Sequence, residues 1–248
     1  MTGMLEARLG VRRGEFELDA ELQLRPGTVL AVVGRNGAGK STALAALAGV
    51  TALSAGRIVL DGAVLDDAGA GYVPPERRPV GLVLQQPALF PHLTVQDNVA
   101  FGLRTGGAPK AEAREQARAA LDEHGLGEFA ERRPAQVSGG QAARIALVRA
   151  LVRRPALLLL DEPLAAIDAE LRPALRASIR SVLDSFPGSA IVVTHDVADA
   201  EALADEVVVL DAGRVLQRGS LGALRADPRD PVVSRLLAGA VPDAGSAA

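Results

Sequence analysis

Thr28-Val29-Leu30-Ala31-Val32-Val33-Gly34-Arg35-Asn36-Gly37-Ala38-Gly39-Lys40-Ser41-Thr42 is the stretch that decides the fold. An apolar run passes into the pattern G-x-x-x-x-G-K-[ST], and a helix-forming segment, Ser41 to Ala48, follows. Strand, glycine-rich loop and helix in that order make a phosphate cradle. The glycines let successive backbone N–H groups curl around a β-phosphate. Lys40 reaches the β and γ oxygens, Ser41 can ligate Mg²⁺, and the positive end of the helix adds to the field.

At 248 residues the chain can bury a full α/β core. Apolar residues make up 48% and charged residues 23%, which suits one globular unit, and a net charge of −3 gives no electrostatic case for nucleic acid as the main partner. The absence of cysteine excludes disulfides and thiolate metal sites and is compatible with a reducing compartment. Met1 to Gly10 has no apolar core of signal-peptide length, and no stretch approaches the roughly 18 apolar residues that span a bilayer. A soluble chain is expected.

Working outward from the cradle, Glu15 to Leu24 alternates strictly, with Phe16, Leu18, Ala20, Leu22 and Leu24 on one face, as in a half-buried antiparallel strand. That pattern assigns Phe16 to the core. Val29 to Val33, Ala156 to Leu160 and Ala190 to Val193 are continuous apolar runs, as in parallel strands covered on both faces. Gly34, Asp161-Glu162 and His195 follow these runs, and ligands of open α/β sheets sit at the carboxyl ends of strands, so the three groups can converge. Between about Pro87 and Pro155 the character turns helical: Ala111 to His124, closed by Gly125, and Gln141 to Arg154, with Ile145, Val148 and Leu151 or Val152 on one face and Arg144, Arg149 and Arg153 elsewhere. Arg57 to Asp61 and Val207 to Val215 read as hairpin strands. One domain over about residues 1–240, with a helical insertion over about 87–155, and a frayed tail over 241–248 are expected.

Leu157 to Leu160 delivers two adjacent carboxylates at a strand end, where Asp161 can hold Mg²⁺ and Glu162 can polarise an attacking water. Ser138 and Gln141 have a local explanation as a capping box. Gly139 and Gly140 between them also leave backbone N–H groups free for an anion. The two readings are compatible.

The phosphate loop, Gln85 in Val83-Leu84-Gln85, Ser138-Gly139-Gly140-Gln141, the Asp161-Glu162 pair, Asp168 and Thr194-His195-Asp196 stand in the order and spacing of the ABC-transporter ATPase subunits, which the chain resembles over about residues 5 to 220. The resemblance implies a P-loop NTPase fold of the ABC ATPase type, with a mixed sheet core, an antiparallel β subdomain and a helical insertion. It implies two subunits sandwiching two ATP molecules with Mg²⁺, each phosphate loop facing the other subunit's Ser138–Gln141 segment. Gln85 resembles the glutamine that senses Mg²⁺ and the membrane partner, Asp168 the aspartate at the dimer seam, and His195 the histidine that contacts the γ-phosphate. Three departures stand out: Val137 replaces the usual Leu, Ala142 and Ala143 replace longer polar residues, and Val11-Arg12-Arg13-Gly14 lacks the aromatic that stacks on adenine. An arginine face can stack instead, and Phe16 is the alternative.

Gly81 to Val95 resembles the importer branch, in which this surface docks an integral membrane permease and a solute-binding protein acts at one remove. The resemblance implies a peripheral place on the cytoplasmic face of the membrane. Val73-Pro74-Pro75-Glu76-Arg77-Arg78-Pro79-Val80-Gly81 is similar to the molybdate importer ATPases, with sulfate, ferric-iron and polyamine importers as near relatives. The C-terminal β-barrel common among them has no room here, so either the lineage lacks it or the chain is a fragment. Non-transport ABC proteins would show tandem cassettes or a coiled-coil insertion. A purely regulatory module would be expected to lose Glu162 or His195, and both remain.

Overall fold

Two antiparallel strands open the chain in the computed structural model, which describes residues 3–165 and 167–238. β1 (Leu5–Arg13) pairs with β2 (Phe16–Leu24) along its whole length, from Leu5 opposite Leu24 to Arg13 opposite Phe16. Alternation selects the buried face: Leu18, Ala20, Leu22 and Leu24 are buried, while Glu17, Asp19, Glu21 and Gln23 are exposed. Phe16 corrects the core assignment. It is only half-buried, because the strand begins there and its ring packs at the edge of the core beside Gly39.

β3 (Val29–Val33) is buried at every position and leads through the glycine loop into α1 (Lys40–Ala48). β4 (Ala55–Leu60), β5 (Ala63–Asp67) and the short β6 (Gly71–Tyr72) extend the antiparallel arrangement beyond β1. Between β7 (Val80–Val83) and β8 (Leu157–Asp161) lie α2 (Val95–Thr105), α3 (Lys110–Glu123) and α4 (Gly139–Leu151). Ser138 caps α4, so the helix starts two residues before Gln141, and it ends three residues before Arg154, whose positive φ of 51° precedes Pro155. α5 (Arg172–Ser185), β9 (Ser189–Thr194), α6 (Val197–Leu203), the hairpin β10 (Glu206–Asp211) and β11 (Arg214–Gly219), α7 (Leu221–Ala226) and α8 (Pro231–Leu237) complete the order. The tail expected over 241–248 lies outside the described residues.

Among the described residues the strands form one sheet in the order β6-β5-β4-β1-β2-β11-β10-β3-β9-β8-β7. Its two halves meet at a single parallel pair, Arg214 opposite Asp19. On the parallel side Val33 pairs with Thr194 and Asp161 with Val193, so the carboxyl ends of β3, β8 and β9 finish level. α1 is held between the halves: Ala43, Leu44 and Leu47 share a core with Leu5, Leu9 and Leu22 on one side and Leu157, Leu159 and Ile191 on the other. α4 and α5 cover the opposite face through Leu147, Leu175 and Ile179, and α6, α7 and α8 pack on Ala31, Val33, Val207 and Val209.

The carboxyl end of α1 is closed by a side chain from far along the chain. Arg78 donates from Nη1 to the carbonyls of Ala46 and Leu47 at 2.8 and 2.9 Å, from Nε to Val73 at 2.7 Å and from Nη2 to Leu65 at 3.2 Å. Its charge is met by Asp66, 3.5 Å away, with side chains only 0% and 3% exposed. A buried guanidinium with a carboxylate and four carbonyls is satisfied, and the cation also suits the negative end of the helix. Removing it leaves Asp66 buried without its counter-charge. Arg78→Ala should therefore cost about 3–5 kcal/mol in urea unfolding; a loss below about 1 kcal/mol would show that the clamp is dispensable.

Candidate nucleotide site

The glycine loop is shaped by backbone conformations that side chains oppose. Gly37 and Gly39 have φ of 80° and 105°, and an added Cβ at Gly34 would collide with the Leu210 carbonyl. Lys40 lies inside the curl, 6% exposed, and donates to the carbonyls of Gly34 at 2.8 Å and Arg35 at 3.0 Å. Burial lowers its pKa, while Glu162 and then Asp161 oppose that shift. Ser41 Oγ donates to Asp161 Oδ1 at 3.4 Å. Burial raises the Asp161 pKa; the Ser41 hydrogen bond opposes this, Glu162 adds to it and Lys40 opposes it.

Glu162 sits at φ 46°, a left-handed backbone uncommon outside glycine, and its N–H is held by the Val193 carbonyl at 2.9 Å. The reversal turns its carboxylate toward β9, where Oε1 lies 3.1 Å from His195 Nδ1. Glu162 is 16% exposed and His195 is 51% exposed, so the pair opens to solvent through the histidine. Arg13, Phe16, Asn36, Gly37, Gly39, Lys40, Ser41, Thr42 and Glu162 line one open cleft of about 460 Å³. A larger cleft, about 740 Å³, lies between α2, α3 and α4 and contains none of these groups. Chemistry favours the smaller one.

Other expected site residues lie elsewhere. Gln85 is exposed beside Leu84 and Pro163 and, among the described residues, makes no hydrogen bond to Ser41, Asp161 or Glu162. Asp168 is exposed on the loop after β8. Ser138 Oγ accepts from the Gln141 N–H at 3.3 Å and Gln141 Oε1 accepts from the Ser138 N–H at 2.8 Å, the reciprocal cap read from the sequence. Neither they nor Gly139 and Gly140 line the cleft; an added Cβ at Gly140 would meet nothing within 4 Å. Arg12 pairs with Glu17 at 3.1 Å in solvent, which leaves Arg13 and Phe16 as the groups flanking the cleft mouth.

Some organising residues escaped the sequence reading. Asn98, fully buried, accepts from the Phe90 N–H at 2.7 Å and donates to the Phe90 and Thr94 carbonyls at 3.1 and 2.9 Å. Arg149 donates to the Pro87 and Ala88 carbonyls at 2.8 and 2.7 Å. Its guanidinium lies 5.8 Å from the centre of the Phe90 ring, which stacks on Phe101 at 4.5 Å. Together they fix the 87–94 loop. The available signals were an asparagine on the α2 face that carries Val95 and Val99 and an arginine on the non-core face of α4.

A left-handed glycine cradle at the end of β3, an inward lysine and a strand-end carboxylate pair define a phosphate-loop nucleoside-triphosphatase fold. The chain belongs to the ABC transporter family, whose sequence profile matches residues 18–165. It is 42% identical over 217 residues to the spermidine/putrescine import ATP-binding protein PotA of Oleidesulfovibrio alaskensis, covering 88% of this chain and 57% of that protein. It is 44% identical over 224 residues to the molybdenum import ATP-binding protein ModC of Mycobacterium tuberculosis, covering 88% and 61%. To the Fe(3+) ions import ATP-binding protein FbpC of Streptomyces avermitilis it is 43% identical over 225 residues, covering 90% and 64%. The chain thus spans about three-fifths of the length of these relatives. Among solved structures it is similar to the ATP-binding cassette MJ0796, described as a dimeric post-hydrolysis state bound to ADP and Pi, with a TM-score of 0.73 and 26% identity over 88% of this chain and 98% of that one.

The raised Asp161 pKa has a stability consequence. A carboxyl whose folded pKa lies above its unfolded value contributes stability below the unfolded pKa and loses it as pH rises through the folded one. At pH 7 the Asp161 carboxyl is therefore a net cost to the nucleotide-free protein. Asp161→Asn should melt higher than wild type at pH 7, with the margin shrinking as pH falls through the raised Asp161 pKa and largely gone below about pH 4. A variant that melts lower at pH 7 would contradict this assignment.

Proposed function

We propose that the chain is the ATP-hydrolysing subunit of a membrane importer and works as a pair of copies. The observation that carries this reading is Glu162, turned by its left-handed backbone to 3.1 Å from His195 and lining the same cleft as Lys40 and Ser41. A carboxylate so placed can orient a water and take its proton as the water oxygen bonds to the γ-phosphorus and the β–γ bridging oxygen leaves with ADP. His195 holds Glu162 through Nδ1, and its other nitrogen would contact the γ-phosphate. Lys40 exchanges its two carbonyl partners for phosphate oxygens. Ser41 and Asp161 offer oxygen donors of the kind that would hold Mg²⁺, and Gln85 would join them from the next strand end. Bound there, the ion would neutralise charge developing on the phosphates. Arg13 and Phe16 flank the place for adenine.

Pairing is supported by the position of Ser138–Gln141. This capped helix N-terminus does not line the chain's own cleft, which leaves it available for phosphates held by a second copy, with Asp168 at the seam. The importer reading is supported by the relatives, each named for import. The 87–94 loop, fixed by Asn98 and Arg149 and flanked by exposed Leu84 and Phe101, suits docking of a membrane permease, which a solute-binding protein would supply. No helix among the described residues is long and apolar enough to cross a membrane; a peripheral place on the cytoplasmic face belongs to the importer reading. Molybdate is the solute we favour, on the likeness of Val73–Gly81 and Phe90–Leu93 to molybdate importer ATPases; the polyamine and ferric-iron relatives define the competing solutes.

Glu162→Gln should bind ATP as wild type does while hydrolysis falls about 10²–10⁴-fold, whereas Lys40→Ala should weaken nucleotide binding itself. Turnover of Glu162→Gln near the wild-type rate would remove it as the base. Gene disruption should make molybdoenzyme activity depend on high external molybdate, and Phe90→Asp should abolish uptake while leaving basal hydrolysis intact. Unchanged molybdate uptake with impaired sulfate, iron or polyamine uptake would refute the solute and leave the ATPase reading in place.

A further inference from the structure

Two arginines on α5 tie together loops that the site reading treats separately. Arg172, the first residue of the helix, donates from Nε to the Ile167 carbonyl at 3.0 Å and from Nη2 to the Ala165 carbonyl at 3.5 Å. Its Nη1 lies 3.6 Å from Asp196 Oδ2. One turn later Arg176 reaches the same carboxylate oxygen at 3.4 Å and donates to Asp199 Oδ1 at 2.6 Å. Asp196 follows His195 directly; its N–H donates to Thr194 Oγ1 at 3.0 Å and its Oδ1 caps α6 by accepting from Ala198 at 2.8 Å. Any shift of Asp196 is thus felt by His195. On the other side, Ile167 is buried in one core with Ala146 and Leu147 of α4. The contacts make one path: α4, Ile167, Arg172, Asp196, His195, Glu162.

We propose that Arg172 is a positioning residue that sets His195 against Glu162 according to where the loop 165–168 and α4 stand. A guanidinium is one rigid plane, and here its donors are divided between two backbone carbonyls of one loop and a carboxylate of another. If either loop moves by about an ångström, the plane must follow or a charge-assisted contact breaks. Arg176 does not duplicate this, because it holds Asp196 and Asp199 and, among the described residues, donates to no carbonyl of the loop after β8. The Arg172 and Asp196 side chains are 31% and 30% exposed, so the contact is neither fully screened nor locked, as a switchable link requires. Arg172 therefore connects the chain's own cleft with the helix end that serves the second copy. This inference rests on the reading that two copies share their nucleotide sites.

The test uses the chain with ATP and Mg²⁺. Arg172→Ala should lower kcat at least about tenfold while ATP affinity stays within about twofold. Arg172→Lys, which keeps the charge and loses the fork, should fold as wild type and recover little of the rate. Mixed pairs then separate the two ends of the path. With Lys40→Ala silencing one copy, Arg172→Ala should slow the surviving site about equally whether it sits in the copy with intact Lys40, acting through His195, or in the silenced copy, acting through its 165–168 loop. A wild-type rate for Arg172→Ala or Arg172→Lys, a loss explained wholly by ATP affinity, or an effect confined to one of the two placements would overturn the proposal. A wild-type chain lacking Glu162-dependent hydrolysis would overturn the hydrolysis reading as well, whereas hydrolysis indifferent to Arg172 overturns this inference alone.

Discussion

An ammonium group held almost out of water must be surrounded by oxygen, and the arrangement around Lys40 follows from that requirement. Two carbonyls reach it only because the glycine loop curls back on itself, which needs the left-handed φ at Gly37 and Gly39. Carboxylates approach because β8 ends level with β3 and β9, so that Asp161 and Glu162 emerge beside the loop. The price is visible in the directions of the Lys40 and Asp161 pKa shifts, both dominated by burial. Such groups destabilise the nucleotide-free protein and are the ones that substrate phosphate and Mg²⁺ would satisfy.

The halves of the sheet meet at one strand pair, so their relative placement depends on what lies between them. That is α1, whose N-terminus faces the cleft and whose C-terminus is closed by Arg78 from the loop ahead of β7. Gly49 permits this closure, since an added Cβ there would lie 2.5 Å from Arg78 Nε. The Val73–Gly81 segment, taken from sequence as a pointer to the solute, thus has a structural job independent of any solute. Relatives named for polyamine, molybdenum and ferric iron stand at nearly the same identity, which agrees with that physical role.

Much of the architecture was legible because it depends on local pattern. Period-2 alternation gave the buried face of β2, continuous apolar runs gave the parallel strands, and the reciprocal cap of Ser138 and Gln141 gave the start of α4. Phe16 was misread because alternation reports the side of a sheet and not the distance from its end. The order that puts β3 between β9 and β10 has no local signal, since it is set by packing between distant segments. Arg78 and Arg172 were illegible for a related reason: their partners are mostly backbone carbonyls, identical in every residue type, and only the fold gathers them. The phosphate loop and strand-end carboxylates were plain, whereas the 3.1 Å approach of His195 to Glu162 required the positive φ that no residue name announces.

The central claim is that each cleft is completed by the Ser138–Gln141 helix end of a second copy. Mixing a Ser138→Arg chain with a Lys40→Ala chain tests it most directly, because each variant alone spoils both sites of its own pair, whereas a mixed pair keeps one intact Lys40 facing one intact Ser138. The account predicts that neither variant alone hydrolyses ATP and that the mixture regains partial activity. Mixed pairs that demonstrably form and stay inactive would contradict it.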